Sequence, residues 1–384
     1  MKKHLFLYLS IAALAASCSS SKQEQAPSTM KDAFKDDFLI GAAINVPLLM
    51  GEDPKADSIV ALHYNSIVPE NCMKSMEIHP EKDRYFWDEA DAYVKYGQDH
   101  DMAIIGHCLV WHAQLSPWFP YDDNGNYVDK EEMKARMKDH IQTVVGRYKG
   151  KIKGWDVVNE CIEDDGTWRH TPFYDILGEE FLPLAFQYAH EADPDAELYL
   201  NDYSMFKAPK RDKYVEIIKG LKEKGIRIDG MGLQSHIGYE ADDPDFAEYQ
   251  KTIDALSETG VKLMITELDI SALPFVMQGA NTDANFELTE ELNPFPNGLS
   301  EERAEEWNKR AADVMAFYRK NADKIDRVTW WGTHDGMSWR NDWPVNGRTD
   351  YPLPFDRDYN LKPFMQSIVN GEAVSNRHEQ SEGN

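Results

Sequence analysis

The sequence predicts a parallel (β/α)8 barrel, and three observations lead there. Eight short runs are almost continuously apolar, as strands covered on both faces are. Longer stretches with helical periodicity separate them. Polar and aromatic residues gather at the carboxyl end of each run, the end where barrels of this kind carry their sites.

The runs are taken in order. Phe38 to Asn45 closes on an amide, Ser66 to Asn71 on Glu70 and Asn71, and Ala103 to Trp111 on His107, Trp111 and the following His112. Gly154 to Glu160 ends in Asn159 and Glu160, and Glu197 to Tyr203 ends in Asn201 and Tyr203. Gly230 to His236 closes on Gln234 and His236, and Lys262 to Ile270 on Glu267 and Asp269. Arg327 to Asp335 carries Trp331, His334 and Asp335. Helices are expected over Lys130 to Tyr148, Gly178 to Ala192, Lys210 to Lys224, Phe246 to Thr259 and Glu301 to Asn321. The segment Ser271 to Ser300 contains Asn-Pro-Phe-Pro-Asn-Gly and little periodicity. Ordered loops of that length are usually functional, so it is expected to wall one side of a cleft.

The 384 residues, 42% hydrophobic and 28% charged, suit a soluble chain with a large core. Acids outnumber bases 67 to 41, for a net charge of -26. Nucleic acid is excluded as a partner, because a phosphate backbone needs clustered Lys and Arg. A ligand is expected to be held by stacking and hydrogen bonds rather than ion pairs.

The amino terminus reads as an export signal. Lys2 and Lys3 precede the apolar run Leu5 to Ala16, which is too short to span a bilayer. Ala15-Ala16-Ser17 then leads into Cys18, which resembles a bacterial lipoprotein signal with a lipidated Cys18. Ordinary secretion with Cys18 unmodified is the alternative. The expected organisation is a signal over 1–18, a polar tether over 19–33, one catalytic domain over 34–370 and a disordered tail over 371–384. The location is then exported, at an outer membrane, with the membrane touched only through a lipid anchor. Cys72, Cys108 and Cys161 form no disulfide framework and no zinc spacing, so buried free thiols are expected.

Glu160 and Glu267 close two of the strand candidates. A pair of carboxylates held at strand ends can cleave a glycosidic bond, one as proton donor and the other as nucleophile or base. A lone glutamate at a strand end would as readily cap backbone donors. Glu267 and Asp269 are two apart on a strand and share a face, and His236 could bridge them. Asn159 and Glu160 are adjacent, so both can face a cleft only if the backbone turns there. His107 and His112 are five apart and face opposite sides of a strand, which argues against a metal; no cofactor is expected.

Several motifs together resemble glycoside hydrolase family 10, the retaining endo-β-1,4-xylanases on a (β/α)8 barrel. They are Glu70-Asn71-Cys72-Met73-Lys74, Gly106 to His112, Trp155 to Glu160, Asn201-Asp202-Tyr203, Gln234-Ser235-His236, Ile265 to Asp269 and Trp331 to Trp339. The similarity runs from about Phe34 to Phe364, nearly the whole mature chain. It implies that Glu160 is the general acid/base and Glu267 the nucleophile, acting on xylan and xylo-oligosaccharides. It also implies that Asn159 bonds the sugar 2-hydroxyl and that His107 lies at the glycone. Trp87, Trp111, Trp331 and Trp339 would line the cleft, while Asn45, Glu70, Asn71, Lys74, Gln114 and Gln234 would orient the chain. Tyr203, His236 and Asp269 would support them. A surface ion pair is the plain alternative for Glu70 and Lys74. Two other activities stay open: attack on chain ends, oligosaccharides or β-glucans, and glycan capture without catalysis.

Overall fold

A computed structural model describes residues 29–238, 245–274 and 285–372. The expected export signal, most of the expected tether, the centre of the long loop and most of the expected tail lie outside these residues. Among the described residues the sheet contains nine parallel-paired strands, one of them only two residues long, His236–Ile237. The other eight are β1 (Leu39–Ile44), β2 (Ser66–Pro69), β3 (Ala103–Val110), β4 (Gly154–Asn159), β5 (Glu197–Asp202), β6 (Gly230–Leu233), β7 (Lys262–Ile270) and β8 (Ile325–Trp330). Each pairs with the next in parallel, and β8 pairs with β1. The sheet therefore closes, and no main edge is left to recruit another strand.

Burial explains the strands. Every residue of β2, β4 and β6 is buried, as are all but the first of β1, β3, β5 and β7. Ala43, Val68, Ile105, Tyr199 and Met264 form a cluster separate from the main core, one each from β1, β2, β3, β5 and β7. Gly154 makes room inside: a Cβ there would sit 2.3 Å from the Tyr199 hydroxyl. The larger core lies between strands and helices, in three-turn-and-longer helices such as Lys130–Arg147, Ala208–Glu223 and Glu301–Lys320. Asp129 and Ser300 cap two of these helices with their side-chain oxygens. At the amino ends of the strands, Glu197 takes Lys153 and Lys262, each at 3.0 Å.

The expected strands recur with shifts of a few residues at their ends, and two differ more. The sixth stops at Leu233 because Ser235 is left-handed at φ 62°, and the chain resumes extended pairing at His236. The eighth ends at Trp330 rather than Asp335, because Gly332 at φ 138° turns the chain away. Asp335 is buried and bound to Lys362 at 2.9 Å, which fastens the carboxy-terminal segment to the barrel. The helix expected from Gly178 starts as one 3-10 turn and becomes α-helical at Phe181–Ala192. Cys72, Cys108 and Cys161 are free and buried.

Candidate active site

Glu160 and Glu267 meet at the carboxyl end of the barrel through a chain of amides. Asn201, at the end of β5, donates from Nδ2 to Glu267 Oε1 at 2.7 Å and to Asn159 Oδ1 at 2.9 Å. Its own carbonyl oxygen accepts the Thr266 hydroxyl at 2.6 Å, which fixes the amide's orientation. Gln234 reaches Glu160 Oε1 at 2.9 Å and Asn159 Oδ1 at 3.3 Å. Gly232 permits this approach, because a Cβ there would lie 2.3 Å from Asn201 Oδ1. The two carboxylates, remote in sequence, share one bonded network.

Glu160 shows the turn that its neighbours require. Its φ is 55°, in the left-handed region, and so Asn159 and Glu160 both reach the network. Trp111 donates from Nε1 to Glu160 Oε2 at 2.9 Å. Both carboxyl oxygens of Glu160 therefore have neutral donors, and the group is only 6% exposed.

Glu267 has a different setting. His236 places Nε2 at 3.1 Å from Glu267 and Nδ1 at 3.0 Å from Asp269. The imidazole thus bridges the two carboxylates on one strand face. Burial alone would drive its pKa down, but Asp269 and Glu267 outweigh that and hold it at about 9. Burial pushes the Glu267 carboxyl up, yet the His236 bond and nearby positive charge bring it below the usual glutamate value. Asp269 resists burial in the same way, held well below the aspartate range chiefly by Arg340. Arg340 binds Asp269 Oδ1 at 2.9 and 2.8 Å, and Trp339 donates to Oδ2 at 2.7 Å.

The other expected residues take these places. His107 is buried and bound through Nδ1 to Asp156 at 2.9 Å, which directs the opposite ring nitrogen away from that carboxylate. Lys74 does not pair with Glu70; it donates to Asn71 at 3.0 Å and Gln114 at 2.8 Å, under the rings of Trp111 and Trp331. Burial raises the pKa of Glu70, with the Lys74 charge opposing it. Asn45 spends its side-chain oxygen capping the short helix Val46–Leu49. Tyr203 accepts from Arg169 and lies under Lys210. Trp331 and Trp339 stand edge-on to His236, and Trp339 stacks on Trp343 at 5.1 Å.

Trp87 stands apart from these residues. Its ring is packed between Tyr85, Tyr148 and the Arg147 guanidinium in the helical layer, among none of the residues of the carboxylate network. Asp156, Arg169, Arg340 and Trp343 were not anticipated from sequence. The first hides inside an apolar strand, and the others sit in loops without periodicity. The long segment after β7 joins the segment after β8 in its described parts. Phe286 bonds Pro344, while Arg348 binds the carbonyls of Leu292 and Pro274.

A barrel with paired glutamates in an amide-rich, aromatic-framed mouth defines a carbohydrate-cleaving enzyme of the two-carboxylate kind. Residues 29–371 match the model of glycosyl hydrolase family 10, and the chain belongs to that family. It is 46% identical to endo-1,4-beta-xylanase A of Xylanibacter ruminicola, over 89% of this chain and 92% of that relative. It is 36% identical to an endo-1,4-beta-xylanase of Geobacillus stearothermophilus, over 89% and 98%. Among solved structures, an endoxylanase of this family from a sugarcane soil metagenome superimposes with TM-score 0.84 at 43% identity, over 89% of this chain and all of that one. A Paenibacillus barcinonensis xylanase, in complex with a conduramine derivative, gives 0.79 at 35% identity, over 90% and 99%.

Proposed function

We infer that the protein is a retaining endo-β-1,4-xylanase, with Glu267 as nucleophile and Glu160 as general acid/base. The observation that carries this reading is the unequal setting of two buried carboxylates in one bonded network. Glu267, lowered by His236, is ionised and ready to attack. It bonds the anomeric carbon while the glycosidic C–O bond breaks and Glu160 gives its proton to the departing oxygen. The sugar is then an ester of Glu267, whose negative charge is gone. Glu160, now a carboxylate, takes a proton from water as that water attacks, and both groups are restored. Carboxyls in such enzymes stand about 5–5.5 Å apart.

Asn159 would meet the 2-hydroxyl, and His107, Lys74, Gln114 and Asn71 would meet the neighbouring sugars. Trp111, Trp331 and Trp339 offer flat faces for pyranose rings. Glu70, Asn45 and Tyr203 complete the binding set. Product analysis over time on xylan tests the endo reading. Mixed-length oligomers at the earliest times support it; one small product from the start overturns it in favour of chain-end attack. Binding without any reducing-sugar release would leave only glycan capture.

We also propose that the chain is exported and tethered through a lipidated Cys18. Lys2-Lys3, the short apolar run and the small residues before Cys18 support this. Labelled palmitate should enter the wild type and not Cys18→Ser; equal labelling of both would refute the anchor.

A further inference from the structure

Glu160 holds a left-handed backbone conformation that residues other than Gly, Asn and Asp rarely adopt. Something must impose it. The amide of Glu160 donates to Asn201 O at 2.9 Å across the sheet. Its carbonyl leaves the sheet and accepts from Arg169 Nε, also at 2.9 Å. The same guanidinium donates from Nη2 to the Tyr203 hydroxyl at 2.5 Å and lies 3.3 Å from Glu163. It is 9% exposed, so these bonds are made largely out of water, where a charge-assisted bond is strong.

Local sequence explains how Arg169 arrives there. Ile162 and Trp168 form an antiparallel bridge, and Glu163 and Thr167 close a tight loop with a 2.8 Å bond. Gly166 turns that loop at φ 84°, in a space where a Cβ would meet Pro209 O at 2.7 Å. The chain folds back on itself, and the Arg169 amide binds Cys161 O at 2.9 Å. The guanidinium then sits directly behind the turn at Glu160.

We propose that Arg169 is the positioning residue of the acid/base: it clamps the carbonyl of Glu160 and so keeps the left-handed turn that aims the carboxyl at the leaving oxygen. In this role Arg169 acts through Glu160 and Tyr203. The proposal rests on Glu160 being the acid/base, and its test separates the two ideas.

The test is the leaving-group dependence of kcat/KM for aryl β-xylobiosides, from dinitrophenyl to phenyl, in wild type, Arg169→Ala, Arg169→Lys and Glu160→Ala. A misaimed acid matters little for dinitrophenolate and greatly for phenolate. Arg169→Ala should stay within about threefold of wild type on the dinitrophenyl substrate and fall about 30-fold or more on the phenyl substrate. Arg169→Lys, which keeps the charge but not the fork, should fall between. Trapping of Glu267 by a 2-fluoro dinitrophenyl xylobioside reports that each variant is folded. If Arg169→Ala does not fold, the Arg169→Lys slope decides alone. An equal loss on every leaving group, or a wild-type slope, overturns the role of Arg169. A wild-type slope in Glu160→Ala overturns the acid/base assignment instead.

Discussion

The two glutamates stand in one network yet are held by different means. Glu267 lies within a strand and is governed by charge: His236 beside it, Asp269 and Arg340 behind. Glu160 lies just past a strand end and is governed by conformation, with a left-handed backbone and neutral donors from Trp111, Gln234 and Asn159. The difference matches two chemical demands. A nucleophile must be ionised when it attacks, which a neighbouring cation favours. An acid/base must gain and lose a proton each cycle, and here the carboxyl is positioned by neutral donors rather than by a charged partner.

The hardest way to break this comparison is to remove the nucleophile. Glu267→Ala should lower kcat on xylan and on activated aryl xylobiosides alike, by roughly 10^4-fold or more. Retention of activity on the activated substrates would mean that the roles of the two glutamates are wrongly divided. Glu160→Ala should cost roughly 10^2–10^4-fold on xylan. On dinitrophenyl xylobioside its kcat/KM should change little while kcat and KM fall together, as hydrolysis of the ester becomes limiting.

His236 sharpens the electrostatic half. In His236→Asn, Glu267 loses its cation, so its pKa rises. The acid limb of kcat/KM should move to higher pH. An unmoved limb would show that Asn201 and burial set Glu267 without the imidazolium. Stability gives a second reading of the same group. The folded pKa of His236, about 9, exceeds the ~6.5 of an unfolded chain. Its pairing therefore stabilises the fold fully below pH ~6.5 and is lost as pH rises through 9, by up to about 3 kcal/mol. The gap in unfolding free energy between wild type and His236→Asn should close over that window.

The smallest effect belongs to Trp87. Trp87→Phe should lower stability by about 1 kcal/mol through lost contact with Arg147 and Tyr148, and leave kcat/KM on xylan within twofold of wild type. A large fall in kcat/KM would place Trp87 at the cleft.

The strands were legible because burial on both faces writes itself as unbroken apolar runs, as in Lys262–Ile270, whose limits agree at both ends. The same-face pairing of Glu267 and Asp269, with His236 between, followed from the two-residue period. The turn at Glu160 left no mark, since glutamate is not a residue that signals a left-handed backbone. Arg169 and Arg340 were hidden for another reason: each acts from a loop, and loops bring residues together by path rather than by period. Trp87 was placed at the cleft by likeness of motif alone, with no periodicity to test it. For Lys74, spacing left a surface ion pair with Glu70 as the plain alternative, and the side-chain amides of Asn71 and Gln114 take the ammonium.

Mass mapping after reaction with a 2-deoxy-2-fluoro dinitrophenyl xylobioside tests the account most directly. It predicts one sugar adduct per chain, on the peptide containing Glu267. An adduct on Glu160, or full turnover without any adduct and with inverted anomeric product, would contradict it.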